Sequence, residues 1–247
     1  MATFAVILPA AGTSSRFGDP KQKKIYADLD GRAVWLRALD AFLNRDDVAQ
    51  IILAIHPEDR ELFERRYRPS VAFLDIQVID GGSERYETVA KALACLKPTI
   101  DHVAVHDAAR PCLPHDLVSE VFAAAIAHGA AIPGVPVADT LKLVNAGGTI
   151  EKTIPRAGLY GVQTPQCFRR ELLERAYANR QNVGSITDDA QLVEAIGHPC
   201  VVVPGSPFNL KITTAQDLVI AAALLPAIPQ PMKDAPAHPF ADERAMW

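Results

Sequence analysis

Four short apolar runs constrain this chain more than any other feature. They are residues 4–9 (FAVILP), 51–55 (IILAI), 76–79 (IQVI) and 103–106 (VAVH). Each is too short for a helix and rich in strand formers, the pattern of strands buried on both faces of a parallel sheet. The segments between them carry helical spacing instead. Trp35, Leu36, Leu39, Phe42 and Leu43 make one apolar face; Val89, Leu93 and Leu96 make a second; Leu117, Val118, Val121, Phe122 and Ile126 make a third. Strand and helix alternate, which predicts an α/β fold: an open, mostly parallel sheet with helices on both faces.

The rhythm breaks after Gly129. Residues 131–137 predict one more strand. Residues 140–154 (TLKLVNAGGTIEKTI) then place two β-like runs around Gly147-Gly148, a strong short-range hairpin signal, and this hairpin is expected to project from the body. The chain returns through residues 159–163. A helix over 170–178, a helix near 188–196, a strand at 200–203 and a last helix over 215–225 complete the α/β body. A chain of 247 residues suits one domain over 1–225, with the arm at about 139–155 inside it. Residues 226–247 hold five prolines and no apolar period, so a disordered tail is expected there.

A net charge of −4 offers no basic excess for general nucleic-acid binding. Cys95, Cys112, Cys167 and Cys200 form no C-x-x-C pair, so neither a zinc site nor a disulfide framework is expected. The chain opens straight into an apolar run without a basic leader, and no apolar run reaches the roughly 20 residues of a membrane span. These features predict a cytoplasmic protein without a membrane partner.

Three stretches at expected strand ends carry chemical groups. Residues 9–22 (PAAGTSSRFGDPKQ) follow the first strand, where open α/β sheets bind ligands. Small residues there let backbone N–H groups approach phosphate oxygens, and Arg16 and Lys21 add positive charge. The stretch matches neither the Walker loop nor the dinucleotide fingerprint. It reads as a phosphate site or as a surface loop with two solvated charges. Residues 80–85 (DGGSER), followed by Thr88, read as a strand-to-helix turn in which Ser83 caps the helix. Residues 105–111 (VHDAARP) place Asp107 where a metal or a ribose hydroxyl is bound, and Arg110 where it meets a substrate phosphate. A structural Asp–Arg pair fits the same letters.

Taken together, PAAG…SRFG.PKQ, DGG.ER and VHDAARP resemble the signature segments of 2-C-methyl-D-erythritol 4-phosphate cytidylyltransferases. Residues 139–140, 153–159 (TIPRAGL), 163–166 (QTPQ), 186–189 (ITDD) and 209–213 (NLKIT) match that family's later motifs in order. The resemblance runs from about Phe4 to Leu225. It implies a Rossmann-like nucleotidyltransferase domain that transfers CMP from CTP to a sugar-alcohol phosphate, with Mg²⁺ as cofactor. It implies that Ala10, Ala11 and Gly12 lie against the nucleotide, that Arg16 and Lys21 bind the triphosphate, and that Gly82, Ser83 and Thr88 read the cytosine. Asp107 would lie by the ribose, the metal and the second substrate, with Arg110 beside it. Thr140, Arg156, Thr164 and Lys211 would hold the methylerythritol phosphate, Arg156 and Lys211 aiming it for attack. The hairpin would be a dimerisation arm of a homodimer.

The chain departs from that family in two places. Ser83 stands where many relatives have Asp. Pro20-Lys21-Gln22 is followed by Lys23-Lys24-Ile25-Tyr26, where relatives often read Pro-Lys-Gln-Tyr. Lys21 is taken as the catalytic lysine because it follows Pro20. Rival readings are a ribitol-5-phosphate cytidylyltransferase, a uridylyl- or guanylyltransferase, and a nucleotide-binding module without turnover.

Overall fold

The first apolar run shows why the fold follows from such short segments. In the computed structural model it forms β1 (Phe4–Ala10), which sends Phe4, Val6 and Leu8 to one face of a sheet and Ala5 and Ile7 to the other, all fully buried. A strand covered on both faces needs no polar alternation. The structure describes residues 2–14, 17, 23–180 and 186–229.

A two-residue hairpin, β2 (Asp28–Leu29) with β3 (Arg32–Ala33), leads into α1 (Val34–Arg37). There follow β4 (Val48–Ile55), α2 (Arg60–Phe73), β5 (Ile76–Asp80), α3 (Arg85–Leu93), β6 (His102–Val105) and α4 (His115–His128). Next come β7 (Ala130–Pro136), the hairpin β8 (Leu141–Val144) and β9 (Ile150–Ile154), β10 (Tyr160–Val162), β11 (Gln166–Arg169) and α5 (Arg170–Ala178). The body closes with α6 (Asp189–Ala195), β12 (Val201–Pro204) and α7 (Ala215–Leu224).

The main sheet runs β10-β7-β11-β6-β1-β4-β5, with β12 also paired to β7. β1 is parallel to both β4 and β6, so the strand order reverses direction at β1 and opens a crevice at its carboxyl end. One core packs Trp35, Leu39, Phe42, Phe63 and the α4 face against the sheet. The other packs α3, α5 and α6 against the opposite face. The hairpin pairs only with itself, Leu141 opposite Ile154 and Leu143 opposite Lys152. Among the described residues no helix is long and apolar enough to cross a membrane.

The structure corrects several sequence expectations. The apolar face from Trp35 to Leu43 is α-helical only over Val34–Arg37 and continues as turns. α2 is absent from the sequence reading, because it buries only Phe63 and Tyr67, leaves Leu62 and Phe73 exposed, and has Pro69 inside it. So is β11, which lies antiparallel between β6 and β7 and is polar at both ends. The ordered body runs past Leu225, through a 3-10 turn at Leu225–Ala227 to Ile228, which is buried against Cys112, Ile212 and Ala221. The remainder of the Pro-rich segment, residues 230–247, falls outside the described residues.

Candidate active site

A crevice of about 310 Å³ lies at the carboxyl ends of β1 and β6. Its walls are Ala10, Ala11, Gly12 and Ser14 after β1, Gly82 to Arg85 and Thr88 around the start of α3, Asp107 to Ala109 after β6, and Lys24, Ile25 and Lys211. Two glycines let these loops meet. A Cβ on Gly81 would stand 2.4 Å from the Ala11 Cβ, and one on Gly82 would stand 2.4 Å from the Glu87 Cβ. Real carbon atoms do not approach so closely, so only glycine brings the β5 loop onto the β1 loop.

The turn after β5 is held by Glu87. Its carboxylate accepts from Ser83 N (3.0 Å), Ser83 Oγ (2.5 Å) and Glu84 N (3.3 Å), and it accepts the Tyr86 hydroxyl at 2.9 Å. These donors, the Ser83 hydroxyl foremost, lower its pKa to about 2. Glu84, not Ser83, is the N-cap residue of α3. Thr88 is buried; its hydroxyl accepts from Gly82 N (3.0 Å) and donates to Glu84 O (3.0 Å).

Asp107 is the electrostatic centre. Lys211 Nζ lies 2.8 Å from its Oδ2, Arg110 Nε 3.5 Å from the same oxygen, and Arg85 Nε 3.5 Å from Oδ1. Burial alone would raise the carboxyl pKa; Arg85, Lys211 and Arg110 outweigh it and hold the group well below the usual carboxylate range. Arg85 Nη2 also reaches Asp189 Oδ2 at 2.8 Å, tying α3 to α6. Sequence reading gives Arg85 no role. Its signal is an arginine in the first turn of a helix, where the macrodipole disfavours a cation, so a tertiary carboxylate has to be its reason.

Beneath the crevice a closed hydrogen-bond chain sets the β6 loop. Asp107 N donates to Thr164 Oγ1 (3.0 Å). The Thr164 hydroxyl then donates to His106 Nδ1 (3.1 Å), and His106 Nε2 donates to Arg110 O (3.1 Å). His106 is fully buried, and burial lowers its pKa to about 4, so it stays neutral in this chain. Arg110 Nη1 donates to Asn209 O (2.7 Å), and Asn209 Nδ2 donates to Thr164 O (2.7 Å). Thr164 and Asn209 therefore shape the loop from below.

Of the site residues named from sequence, Ala10, Ala11, Gly12, Gly82, Ser83, Thr88, Asp107 and Lys211 line one crevice. Arg110 and Thr164 are buried behind it and engaged with protein groups. Thr140 and Arg156 are exposed and stand outside the crevice of their own chain. Arg16 and Lys21 lie outside the described residues. Lys24 does line the crevice, although the sequence reading passes over it for Lys21. The signal for Lys24 is Tyr26, two residues on, which can be matched to the tyrosine of Pro-Lys-Gln-Tyr instead of matching Pro20.

Among the described residues no three acidic, histidine or cysteine side chains gather into a metal cage. The donor set still fits Mg²⁺, because that ion commonly takes one or two carboxylates and draws its other ligands from substrate phosphates and water. Among the described residues Glu84 and Asp107 are the carboxylates that border the crevice, and Asp107 is the one set among its cations.

The family model of 2-C-methyl-D-erythritol 4-phosphate cytidylyltransferase matches residues 4–227. The enzyme of that name from Rhodopirellula baltica is 40% identical, covering 91% of this chain and 95% of the relative. That from Frankia casuarinae is 43% identical over 90% of this chain and 80% of the relative. The crystal structure of the Thermus thermophilus enzyme superposes with a TM-score of 0.75 at 36% identity, covering 92% of this chain and all of that one. With sequence and fold in agreement over nearly the whole described body, the chain belongs to the 2-C-methyl-D-erythritol 4-phosphate cytidylyltransferase family of nucleotidyltransferases.

Proposed function

We propose that the crevice around Asp107 transfers CMP from CTP to the phosphate of 2-C-methyl-D-erythritol 4-phosphate, giving 4-diphosphocytidyl-2-C-methyl-D-erythritol and pyrophosphate. The observation that carries this reading is the meeting of the Ala10–Gly12 loop with Lys24, Lys211 and Asp107 in one crevice. An acceptor phosphate and a triphosphate repel each other, and a catalyst must bring cations to both sides of the α-phosphorus. Lys24, with Arg16 and Lys21 on the same stretch of sequence, takes the triphosphate side. Lys211, with Arg156, takes the acceptor side. An acceptor phosphate oxygen forms the new bond to the α-phosphorus while the bond to the bridging oxygen of pyrophosphate breaks. The attacking oxygen is already deprotonated, so no general base is needed. Asp107 would hold Mg²⁺, which when bound neutralises triphosphate charge.

The cytosine lies against the Gly82–Ser83 turn, whose narrowness favours a pyrimidine. The hairpin serves as the arm of a homodimer. Leu143, Val144 and Ile150 on it are about half exposed, and an isolated two-stranded ribbon is marginal in water. Arg156, just beyond the arm and outside its own crevice, then completes the partner's site. A cytoplasmic setting goes with the four free cysteines and the charged substrates. The test is pyrophosphate release with CTP, UTP, ATP or GTP against 2-C-methyl-D-erythritol 4-phosphate or ribitol 5-phosphate. Release confined to CTP with the first acceptor is expected. Equal turnover of a purine nucleotide, or of ribitol 5-phosphate, would overturn the assignment.

A further inference from the structure

Lys24 sits on a short 3-10 turn, Lys24–Tyr26, that carries it into the crevice. Such a turn has few hydrogen bonds of its own and needs outside support. The support comes from one carboxylate. Lys23 Nζ lies 2.9 and 2.8 Å from the two oxygens of Asp59, and the Tyr26 hydroxyl donates to Asp59 Oδ2 at 3.1 Å. Asp59 thus grips the residue before Lys24 and the residue two after it. The Asp59 side chain is 14% exposed and that of Lys23 24%, so the pair is shielded from water. Tyr26 is buried, and its ring packs against Phe63 and Tyr67 of α2. Asp59 itself ends the turn Pro57–Asp59 after β4 and directly precedes α2, and its backbone is held in that turn by Asp59 N donating to His56 O at 2.9 Å. On the crevice side, Lys24 N donates to Ser14 Oγ at 3.3 Å, which closes the β1 loop onto the same turn.

We infer that Asp59 is a positioning residue for the transfer reaction: by holding Lys23 and Tyr26 it fixes Lys24 against the bound triphosphate. The inference rests on the reading that Lys24 faces the triphosphate. Asp59 touches no substrate in it. A carboxylate anchored in the turn between β4 and α2 presets a cation delivered by the neighbouring loop, and small misplacements of such groups cost much of their effect.

The experiment is a double-mutant cycle on single-turnover rates with saturating CTP and acceptor. Lys24→Ala is expected to slow the chemical step on the order of 100-fold or more. Asp59→Asn and Tyr26→Phe are expected to slow it on the order of 10-fold or more, with CTP affinity changed far less. The deciding arm is Asp59→Asn in the Lys24→Ala background. If Asp59 acts through Lys24, the second substitution costs less than about 2-fold there. Full multiplicative losses would instead show a general structural role and overturn the inference, as would a near wild-type rate for Asp59→Asn. Should Asp59→Asn fold poorly by melting temperature, Tyr26→Phe, which removes one oxygen, carries the same cycle. A near wild-type rate for Lys24→Ala would sink the assignment of Lys24 itself, and that outcome is visible before any Asp59 variant is made.

Discussion

Lys211 and Asp107, far apart in the chain, meet at 2.8 Å at the mouth of the crevice. With Arg85 and Arg110 also within 3.5 Å of that carboxylate, Asp107 balances a small crowd of cations. Asp107→Asn should therefore destabilise the fold, not only the reaction, by about 3 kcal/mol, because the cations lose their shared partner. Urea unfolding measures this. Lys211→Ala should leave stability within about 1 kcal/mol, since that side chain is 40% exposed, yet lower turnover sharply. Comparable stability losses in the two variants would contradict the picture.

The His106 chain predicts an acid-sensitive fold. Its folded pKa, depressed to about 4 by burial, lies below the ordinary value near 6.5. Between those values the unfolded chain holds a proton that the folded chain does not. The stability this group allows is thus present above about pH 6.5 and is lost as pH falls toward 4. At pH 4.5 the loss should be on the order of 2 kcal/mol. Comparing unfolding free energies at pH 7.5 and 4.5 for the native chain and for His106→Gln checks it; the variant should lose less over that interval.

Subunit exchange tests the arm. Lys211→Ala and Arg156→Ala homodimers should each be nearly inactive. If Arg156 completes the partner's crevice, a mixed dimer has one intact site. Half the dimers in an equal mixture are mixed, so about a quarter of native activity should return. If Arg156 serves its own chain, every site lacks one residue and nothing returns. A monomer by light scattering also removes the idea.

Two truncations locate the end of the folded body. Deleting residues 230–247 keeps Ile228 and its small core and should leave the melting temperature unchanged. Deleting residues 226–247 also removes Ile228, which is 8% exposed in its small core. That burial is worth about 2 kcal/mol, so the melting temperature should drop by roughly 4–8 °C. Equal melting temperatures would show that the body ends before Pro226.

The sequence by itself determined the parallel core of the sheet and the chemistry at its strand ends. β1, β4 and β6 were legible because strands buried on both faces must be short apolar runs, whatever packs on them. β5 kept its apolar letters too, although it is the edge strand and buries only Ile76. The small residues Ala10 to Gly12 and the Gly81-Gly82 turn were legible because close backbone approach admits few side chains. Tertiary structure alone decided the elements whose stability comes from neighbours. α2 shows only two buried residues, and β11 is a strand because β6 and β7 supply its hydrogen bonds. It alone decided which polar groups act together. Letters cannot say that Thr164 binds His106, that Arg85 bridges Asp107 and Asp189, or that Asp59 holds both Lys23 and Tyr26. Those pairings join residues distant in the chain, and a charge or hydroxyl takes its role from the partner that folding brings within about 3 Å.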